Sequence, residues 1–382
     1  MTQIIGWGTT FHIPAVLSGR IAAGTGLSEQ FVFGGITLML LVAAAIAPSV
    51  GRVLDRDGCR RWMVLGSCLT ACGLALLSAA HGPVLFALAW IVFGLAMPLA
   101  LNQASSTALV QIAPERARRA IALLLLLSGL SSTLAWPILI SLDRLIGWRE
   151  SLLVYAAVQI VICAPLHAFG LPRGRVMVEG SEVSLGPATV AAPPVRPFPG
   201  AFGLAAVTFS IAGMLTWGLP LHMIGILKDF GHSEAAAVSV GALLGPGQVL
   251  ARVFEMVGGH RIGILPVGIG AMALMPLALA ALLVWGTSPA GAVLFAIGYG
   301  LSAGLISIVR AVAPLRLFGA AAYAAILGRL GVPQNIAFAA APLGFAAIRE
   351  GVGSVALVWV SLILGLVCLA TMTMLARRAA SA

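Results

Sequence analysis

The stretch that decides the fold is Gly51-Arg52-Val53-Leu54-Asp55-Arg56-Asp57-Gly58-Cys59-Arg60-Arg61. Six of its eleven residues are charged, and an apolar run lies on either side of it, one ending near Val50 and the other beginning at Trp62. A short charged hinge between long apolar runs is typical of a loop at a membrane surface. The sequence therefore predicts that two membrane helices meet here.

Composition extends this prediction to the whole chain of 382 residues. Apolar residues make up 60% of it and charged residues 9%, with a mean hydropathy of +1.06. These values lie far outside the range of soluble proteins, and a helix needs about 20 apolar residues to cross the hydrocarbon core. We predict an integral membrane protein, partnered by the lipid bilayer, with no independent soluble domain.

Twelve apolar runs follow one another, and we number them as spans 1 to 12. They cover residues 4–22, 31–53, 62–80, 84–112, 117–142, 151–171, 201–227, 235–257, 262–285, 290–317, 321–348 and 352–375. One long polar stretch, 172–199, separates six runs from six. We predict an all-α membrane protein of twelve transmembrane helices in two pseudo-symmetric six-helix bundles, residues 1–171 and 200–382, joined by a cytoplasmic linker at 172–199.

Basic residues predict the orientation, because cytoplasmic loops retain Lys and Arg. With both termini inside, sixteen of the 22 basic residues lie on or near the inner side and five on the outer side, while Arg310 falls within a span. The net charge of +10 is therefore a topology signal, and no soluble basic face exists for nucleic acid. We expect the cell (inner) membrane, with a first span that is not a cleavable signal.

The sequence does not contain the motifs that are typical of enzyme active sites. The five cysteines are scattered among apolar runs and indicate neither a disulfide framework nor a metal site. No nucleophile and base pair, metal-ligand cluster or phosphate-binding loop is present. We expect no catalytic residues, no metal and no cofactor.

The two halves resemble each other, as expected of transporters built from repeats. Val84-Leu85-Phe86-Ala87-Leu88-Ala89-Trp90 in span 4 is similar to Val293-Leu294-Phe295-Ala296-Ile297-Gly298-Tyr299 in span 10. Gly51-x-x-x-Asp55-Arg56 also has a degenerate copy, Gly247-x-x-x-Ala251-Arg252, toward the end of span 8. Seven apolar residues can match by chance, but two matches at equivalent positions make duplication the better explanation.

The opening stretch resembles the loop motif of the major facilitator superfamily, and the plan of six plus six spans covers the whole chain. In that family the loop between spans 2 and 3 is a cytoplasmic gate, which implies that Asp55 meets the start of a neighbouring helix and a cluster of arginines. The alternative is that the charges only mark a positive-inside loop. The resemblance assigns the gate to Gly51, Asp55, Arg56, Gly58, Arg60, Arg61 and Arg116, with Arg118 and Arg119 as further partners of the acid.

A narrower resemblance is to bacterial monocarboxylate-transporter-like members. In those transporters span 8 carries an acid followed four residues later by an arginine; here Gln248 replaces the acid and Arg252 is retained. Loss of the acid argues against simple proton coupling at this position. A cationic site remains able to bind an anion.

Arginines within membrane spans are the main candidates for a substrate site, since a charge there costs about 2.5–3.5 kcal/mol on insertion scales. The two arginines are Arg310 and Arg252. Each could instead extend its guanidinium to the inner membrane surface or form an ion pair that only stabilises the structure. We expect uncharged residues to complete the site, spans 1, 4, 7 and 10 being cavity-lining in the family. They are Gln3, Trp7, Thr9, Thr10, Asn102, Gln103, Ser131, Ser132, Trp136 and Trp217, with Gln248 beside Arg252.

Three histidines, His12, His167 and His222, could carry protons because the imidazole pKa lies near physiological pH, although packed or interfacial roles are the alternative. His12 and His222 are our candidates for proton coupling. No Asp or Glu lies deep in a predicted span, so proton symport through a buried carboxylate is not supported. Anion exchange, uniport and histidine-linked coupling stay open.

These observations predict a transporter that moves a small organic anion, in particular a carboxylate, by rocking two bundles around a central site. The alternative is an efflux pump for amphipathic drugs or metabolites, against which the intramembrane arginines count. A sensor that does not transport would share the fold. The family default is a monomer.

Overall fold

The computed structural model describes residues 1–174, 198–258 and 261–381, and within these ranges the chain is helical, with no strand. The α-helices are α1 (Thr2–Gly8), α2 (Ile13–Thr25), α3 (Glu29–Asp57), α4 (Arg60–Ser78), α5 (Pro83–Ala100), α6 (Asn102–Ile112), α7 (Ala117–Ser128), α8 (Ser131–Ile146), α9 (Trp148–Val158), α10 (Ala164–Gly170), α11 (Ala201–Gly218), α12 (Met223–Asp229), α13 (Glu234–Ala242), α14 (Leu244–Val257), α15 (Ile264–Trp285), α16 (Pro289–Phe318), α17 (Tyr323–Val352) and α18 (Ser354–Ala380). Short 3₁₀ segments lie at Pro114–Arg116 and Leu219–His222, and a π-helical turn lies at Gln159–Cys163.

The all-helical membrane fold predicted from the sequence is confirmed. Eleven helical segments in the described ranges are long and apolar enough to cross a membrane, and they correspond to predicted spans 2–12. Predicted span 1 differs, because it consists of two short helices, α1 and α2, separated by Thr9–His12. The hydroxyls of Thr9 and Thr10 donate to the carbonyls of Ile5 and Gly6, at 2.8 and 2.6 Å, and satisfy backbone acceptors where α1 ends.

Spans 4 and 7 are also interrupted, and each contains a proline near its break. Pro98 precedes the end of α5 at Ala100, and Pro220 lies in the 3₁₀ segment between α11 and α12. Proline lacks the amide that the helix ladder needs, so helices kink or stop near it.

The chain forms two compact units. Unit 1 comprises Met1–Ala117, Leu126–Glu182 and Ala320–Asn335, and unit 2 comprises Arg118–Leu125, Val183–Gly319 and Ile336–Ala382. Each unit thus includes a short segment from the other sequence half. The division at 172–199 stays a prediction, and residues 175–197 of that linker lie outside the described residues.

The core of unit 1 is built on aromatic side chains of α5. Phe86, Trp90 and Phe93 are almost fully buried and pack with Leu74, Leu77 and Met39 from the neighbouring helices. Gly35 on α3 lies directly against the Trp90 indole, so that a Cβ there would overlap the ring. The adjacent Gly34 has nothing within 4 Å of the position a Cβ would take.

Gly35→Ala is expected to lower stability by about 1–3 kcal/mol, the usual range for overpacking a tight core. Gly34→Ala, one residue away, is expected to be neutral or slightly stabilising because Ala favours helix. Thermal unfolding of the two purified variants in detergent measures the difference. Equal midpoints would show that the contact between Gly35 and Trp90 is loose.

Candidate functional site

The carboxylate of Asp55 lies against the start of α17 in unit 1. Its two oxygens accept hydrogen bonds from the backbone amides of Ala324, at 3.1 Å, and Ala325, at 2.7 Å. The first amides of a helix have no partner within the helix, and the helix dipole makes this end positive. Asp55 therefore supplies both the acceptor and the charge that the start of α17 needs.

Close packing of α3 on α17 brings the carboxylate to this position. A Cβ on Gly51 would overlap the carbonyl of Ala324, and a Cβ on Gly328 would overlap the carbonyl of Ala47. The two pairs are one helical turn apart, so both backbones meet where glycine leaves room. Gln103 adds a hydrogen bond from its side-chain amide to the Ala47 carbonyl, at 3.1 Å.

The other residues predicted for the gate have different surroundings. Arg56 is largely exposed and pairs with Asp57 at 2.7 Å, while Arg61 lies 3.9 Å from the same acid. Gly58 ends α3 with a φ of +80°, a conformation that favours glycine. Arg60 begins α4, and Arg116 is exposed at the end of Pro114–Arg116.

An ion pair that the sequence did not predict joins α7 to α14 in unit 2. Arg118 donates from Nε to Glu255 at 2.7 Å and from Nη1 to the Ile262 carbonyl at 2.7 Å. The side chain of Glu255 is 1% exposed and that of Arg118 is 17% exposed. Glu255 lies one helical turn after Ala251, the position that corresponds to Asp55 in the degenerate copy.

Arg252 lies on the same helix, α14, and is buried. Its Nη2 donates to the side-chain oxygen of Gln248 at 3.3 Å, whereas its Nε has no hydrogen-bond partner among the described residues. Around it α14 packs closely on α16, because a Cβ on Gly304 would come within 2.6 Å of the Gln248 carbonyl oxygen and one on Gly300 within 3.1 Å of the Cα of Gly247. The residue pair from the narrower resemblance is thus in contact.

Arg310 belongs to an aromatic cluster in unit 2. Its guanidinium carbon lies 4.7 Å from the centre of the Phe338 ring, within the range of a cation–π interaction. The indole of Trp217 stacks on the same phenyl ring, with centroids 5.5 Å apart and planes 9° apart. Sequence analysis had named Arg310 and Trp217 but missed Phe338, since a phenylalanine in an apolar run carries no distinguishing signal.

The uncharged candidates of unit 1 gather around the break in span 1. Trp7 donates to the side-chain oxygen of Asn102 at 3.3 Å, Gln3 donates to the Ala100 carbonyl at 2.7 Å, and Gln159 donates to Thr9 at 2.7 Å. His12 hydrogen-bonds Ser131 at 3.1 Å and meets the ring of Trp136 edge-on. Trp136 is 43% exposed, and the side chain of Ser132 lies outside the described residues.

A repeated motif, Trp-Gly-x-x-x-His, places the histidines in equivalent positions of the two units. It occurs as Trp7-Gly8 with His12 and as Trp217-Gly218 with His222, at the breaks of spans 1 and 7. His12 contacts Ser131 in span 5 and His222 contacts the carbonyl of Pro342 in span 11, each at 3.1 Å. The spacing was visible in the sequence and would have strengthened the case for duplication.

The glycines of this motif also have equivalent contacts. A Cβ on Gly8 would come within 2.7 Å of the Cβ of Ala135, and one on Gly218 within 2.6 Å of the Cβ of Ala341. In each unit, therefore, a broken helix packs through glycine on a helix to which its histidine also bonds. No group of three His, Cys, Asp or Glu side chains suited to a metal ion occurs in the part of the chain described.

Comparison with known proteins agrees with this architecture. The family profile described as Major Facilitator Superfamily matches residues 1–342, and no curated protein matches the sequence. The crystal structure of the human organic anion transporter MFSD10 (TETRAN) superposes with a TM-score of 0.74 at 16% identity, covering 97% of this chain and 96% of that chain. The proton:xylose symporter XylE, bound to 6-bromo-6-deoxy-D-glucose, gives 0.70 at 15% identity, covering 98% and 93%.

The ion pair between Arg118 and Glu255 is expected to couple strongly in a double-mutant cycle. Glu255→Gln or Arg118→Gln alone leaves a charge with poor compensation and should cost about 3–5 kcal/mol, whereas the double variant should cost much less than the sum. Unfolding of the four purified proteins in detergent measures the coupling. Additive single effects would mean that the two side chains do not stabilise one another.

Proposed function

Because the chain belongs to the major facilitator superfamily, we propose that it carries a small organic anion, in particular a carboxylate, by rocker-switch alternating access. The family's members and the structural neighbours are membrane transporters, so the chain is a transporter and not an enzyme. The cargo class is inferred from its own residues.

The observation that carries the proposal is the position of Arg310. It lies in α16, a membrane helix of 30 residues whose sequence contains no Asp or Glu. A charge in such a helix is retained against a considerable insertion cost, which makes it a functional candidate. Its guanidinium offers paired N–H donors that match a carboxylate in bidentate geometry.

Arg252 is the second proposed cation of the site. Gln248 is uncharged and does not neutralise Arg252. The buried Nε of Arg252 lacks a hydrogen-bond partner in the described residues. A buried donor without a partner is costly, so an arriving anion would gain by accepting from it. Uncharged polar and aromatic residues would complete the site, namely Trp7, Thr10, Asn102, Gln103, Trp136 and Trp217.

An alternative cargo is an amphipathic drug or metabolite, which the aromatic pairs would accommodate. Trp7 and Phe11 meet edge-on at 5.7 Å, and Trp217 stacks on Phe338. We favour the anion because a guanidinium is costly to keep in a pocket for apolar cargo. One structural relative, MFSD10, is an organic anion transporter, which agrees with this cargo class.

The proposal also covers proton coupling, the oligomeric state and the location of the protein in the membrane. His12 and His222 are the candidates for proton transfer, since each ring nitrogen bonds a neighbouring helix at the break of its own span. We propose a monomer in the cell (inner) membrane with both termini in the cytoplasm, in accordance with the distribution of basic residues.

We also propose that the contact of Asp55 with the start of α17 is the cytoplasmic gate. Gly51, Gly58, Arg56, Arg60, Arg61 and Arg116 would shape this loop or attract it to the inner surface. The carboxylate is held by two amides and by close backbone packing, so the contact forms only when both helices are in register. Such a contact can favour one conformation and be absent from the other.

Arg310→Ala is expected to weaken anion binding by about ten- to a hundred-fold, the loss expected for charge-assisted hydrogen bonds. Uptake of radiolabelled monocarboxylates and of amphipathic drugs into reconstituted vesicles at two pH values measures this. Arg316→Ala, on the same helix, is the matched control and should retain uptake. Full anion affinity in Arg310→Ala would refute the site, and preferential drug uptake would favour the alternative cargo.

Loss of the gate contact is expected to expose the native Cys59. Its thiol is buried beside Leu54, Met63 and Ala324, and burial, with a smaller effect from Asp55, raises the pKa of the Cys59 thiol to about 12. In a variant with the other four cysteines replaced by Ser, Asp55→Asn should increase maleimide labelling of Cys59 by about five- to ten-fold, as loss of about 1 kcal/mol at a helix terminus implies.

Gly51→Ala breaks the same contact without removing the charge and should give a similar increase. Asp57→Asn, which alters the pairs of Asp57 with Arg56 and Arg61 but leaves the contact of Asp55 with α17, serves as the control and should label like the parent. If Asp55→Asn and Gly51→Ala both label at the parent rate and transport normally, the residue has no gating role.

A further inference from the structure

Phe338 is placed so that it controls the orientation of Arg310. The phenyl ring is buried in unit 2, with 6% of the residue exposed, whereas Arg310 and Trp217 are both partly exposed. The guanidinium carbon lies 4.7 Å from its centre, and the Trp217 indole stacks nearly parallel to it. A buried ring thus connects an accessible cation with an accessible indole.

The position of the ring is fixed by the helix it packs on. Gly213 of α11 lies so close that a Cβ there would overlap the edge of the phenyl ring. Trp217 is one helical turn further along α11, and its indole takes up the stacking contact. Contacts from one helix therefore hold Phe338 at two points, and its ring has little freedom to turn away from Arg310.

A guanidinium over an aromatic ring is oriented as well as attracted. The ring quadrupole attracts the positive charge, while the five N–H donors lie in the guanidinium plane and point away from its faces. A carboxylate binds these donors from the edge, in two parallel hydrogen bonds. A guanidinium that lies flat on the ring is therefore restricted without losing the donors that an anion needs.

Resting on the proposed function, we infer that Phe338 is a positioning residue for anion binding. It holds the guanidinium of Arg310 so that its edge is presented to the carboxylate of the cargo. It acts through Arg310 and need not touch the cargo. Its contribution belongs to affinity, because pre-organising a binding group reduces the entropy lost on binding and leaves the conformational steps of transport unchanged.

The experiment compares KM and maximal rate for uptake of a radiolabelled monocarboxylate into reconstituted vesicles. Phe338→Leu keeps an apolar side chain but removes the quadrupole, and should raise KM about ten-fold with the maximal rate kept within about two-fold. Phe338→Tyr keeps the aromatic face and should stay near the parent. Gly213→Ala displaces the ring without altering its chemistry and should raise KM in the same way.

Phe345→Leu is the matched control, since Phe345 is a fully buried phenylalanine of the same helix that lies beside His222. It should leave KM unchanged. Equal effects of Phe338→Leu and Phe345→Leu would overturn the inference and leave the anion site standing, provided that Arg310→Ala still weakens anion affinity. If Arg310→Ala retains affinity, the proposed function fails first.

Retention of low KM by Phe338→Leu together with loss of affinity in Arg310→Lys would also overturn the inference. This result would show that anion binding requires the guanidinium group and that the Phe338 ring does not determine its orientation. Size-exclusion profiles and thermal midpoints in detergent establish that each variant is folded before its KM is compared.

Discussion

The fold depends on one constraint, that backbone amides and carbonyls at membrane depth must find partners within the protein. Continuous helices satisfy it internally, so the informative places are those where a helix starts or breaks. At the start of α17 the partner is the carboxylate of Asp55. At the end of α5, the side-chain amide of Gln3 donates to the carbonyl of Ala100. At the end of α1, the hydroxyls of Thr9 and Thr10 donate to backbone carbonyls. These polar residues lie where backbone groups need partners.

The same constraint explains how much the sequence could predict. Composition and twelve apolar runs were sufficient for the membrane class and the helical fold, because both depend on hydrophobic length alone. The contact of Asp55 with a helix start followed from a motif with known family geometry. The break in span 1 was missed because Thr9 and Thr10 resemble tolerated polar residues in an apolar run, and their bonds back to α1 appear only in three dimensions.

Long-range pairs were the second kind of omission. Arg118 and Glu255 are 137 residues apart, and nothing in either neighbourhood specifies the other. Phe338 reaches Arg310 only because Gly213, more than 120 residues earlier, leaves space for its ring. Cation–π and close glycine contacts have no spacing rule in sequence, whereas the Trp-Gly-x-x-x-His repeat does have one and could have been found.

Duplication followed by divergence makes sense of the differences between the units. In the first copy the acid at position 55 accepts from backbone amides at a helix start, whereas in the second Glu255, one turn later, pairs with a side chain. A hydrogen bond from a neutral backbone amide requires the correct geometry, whereas a buried ion pair also requires that the two charges balance. Glu255 pairs with Arg118, and the residue one turn before Arg252 is the uncharged Gln248. Arg252 and Arg310 are the candidate intramembrane cations of unit 2, while the candidates of unit 1 are uncharged amides, hydroxyls, indoles and an imidazole. The two copies of the duplicated fold have therefore diverged in the polar groups that they carry.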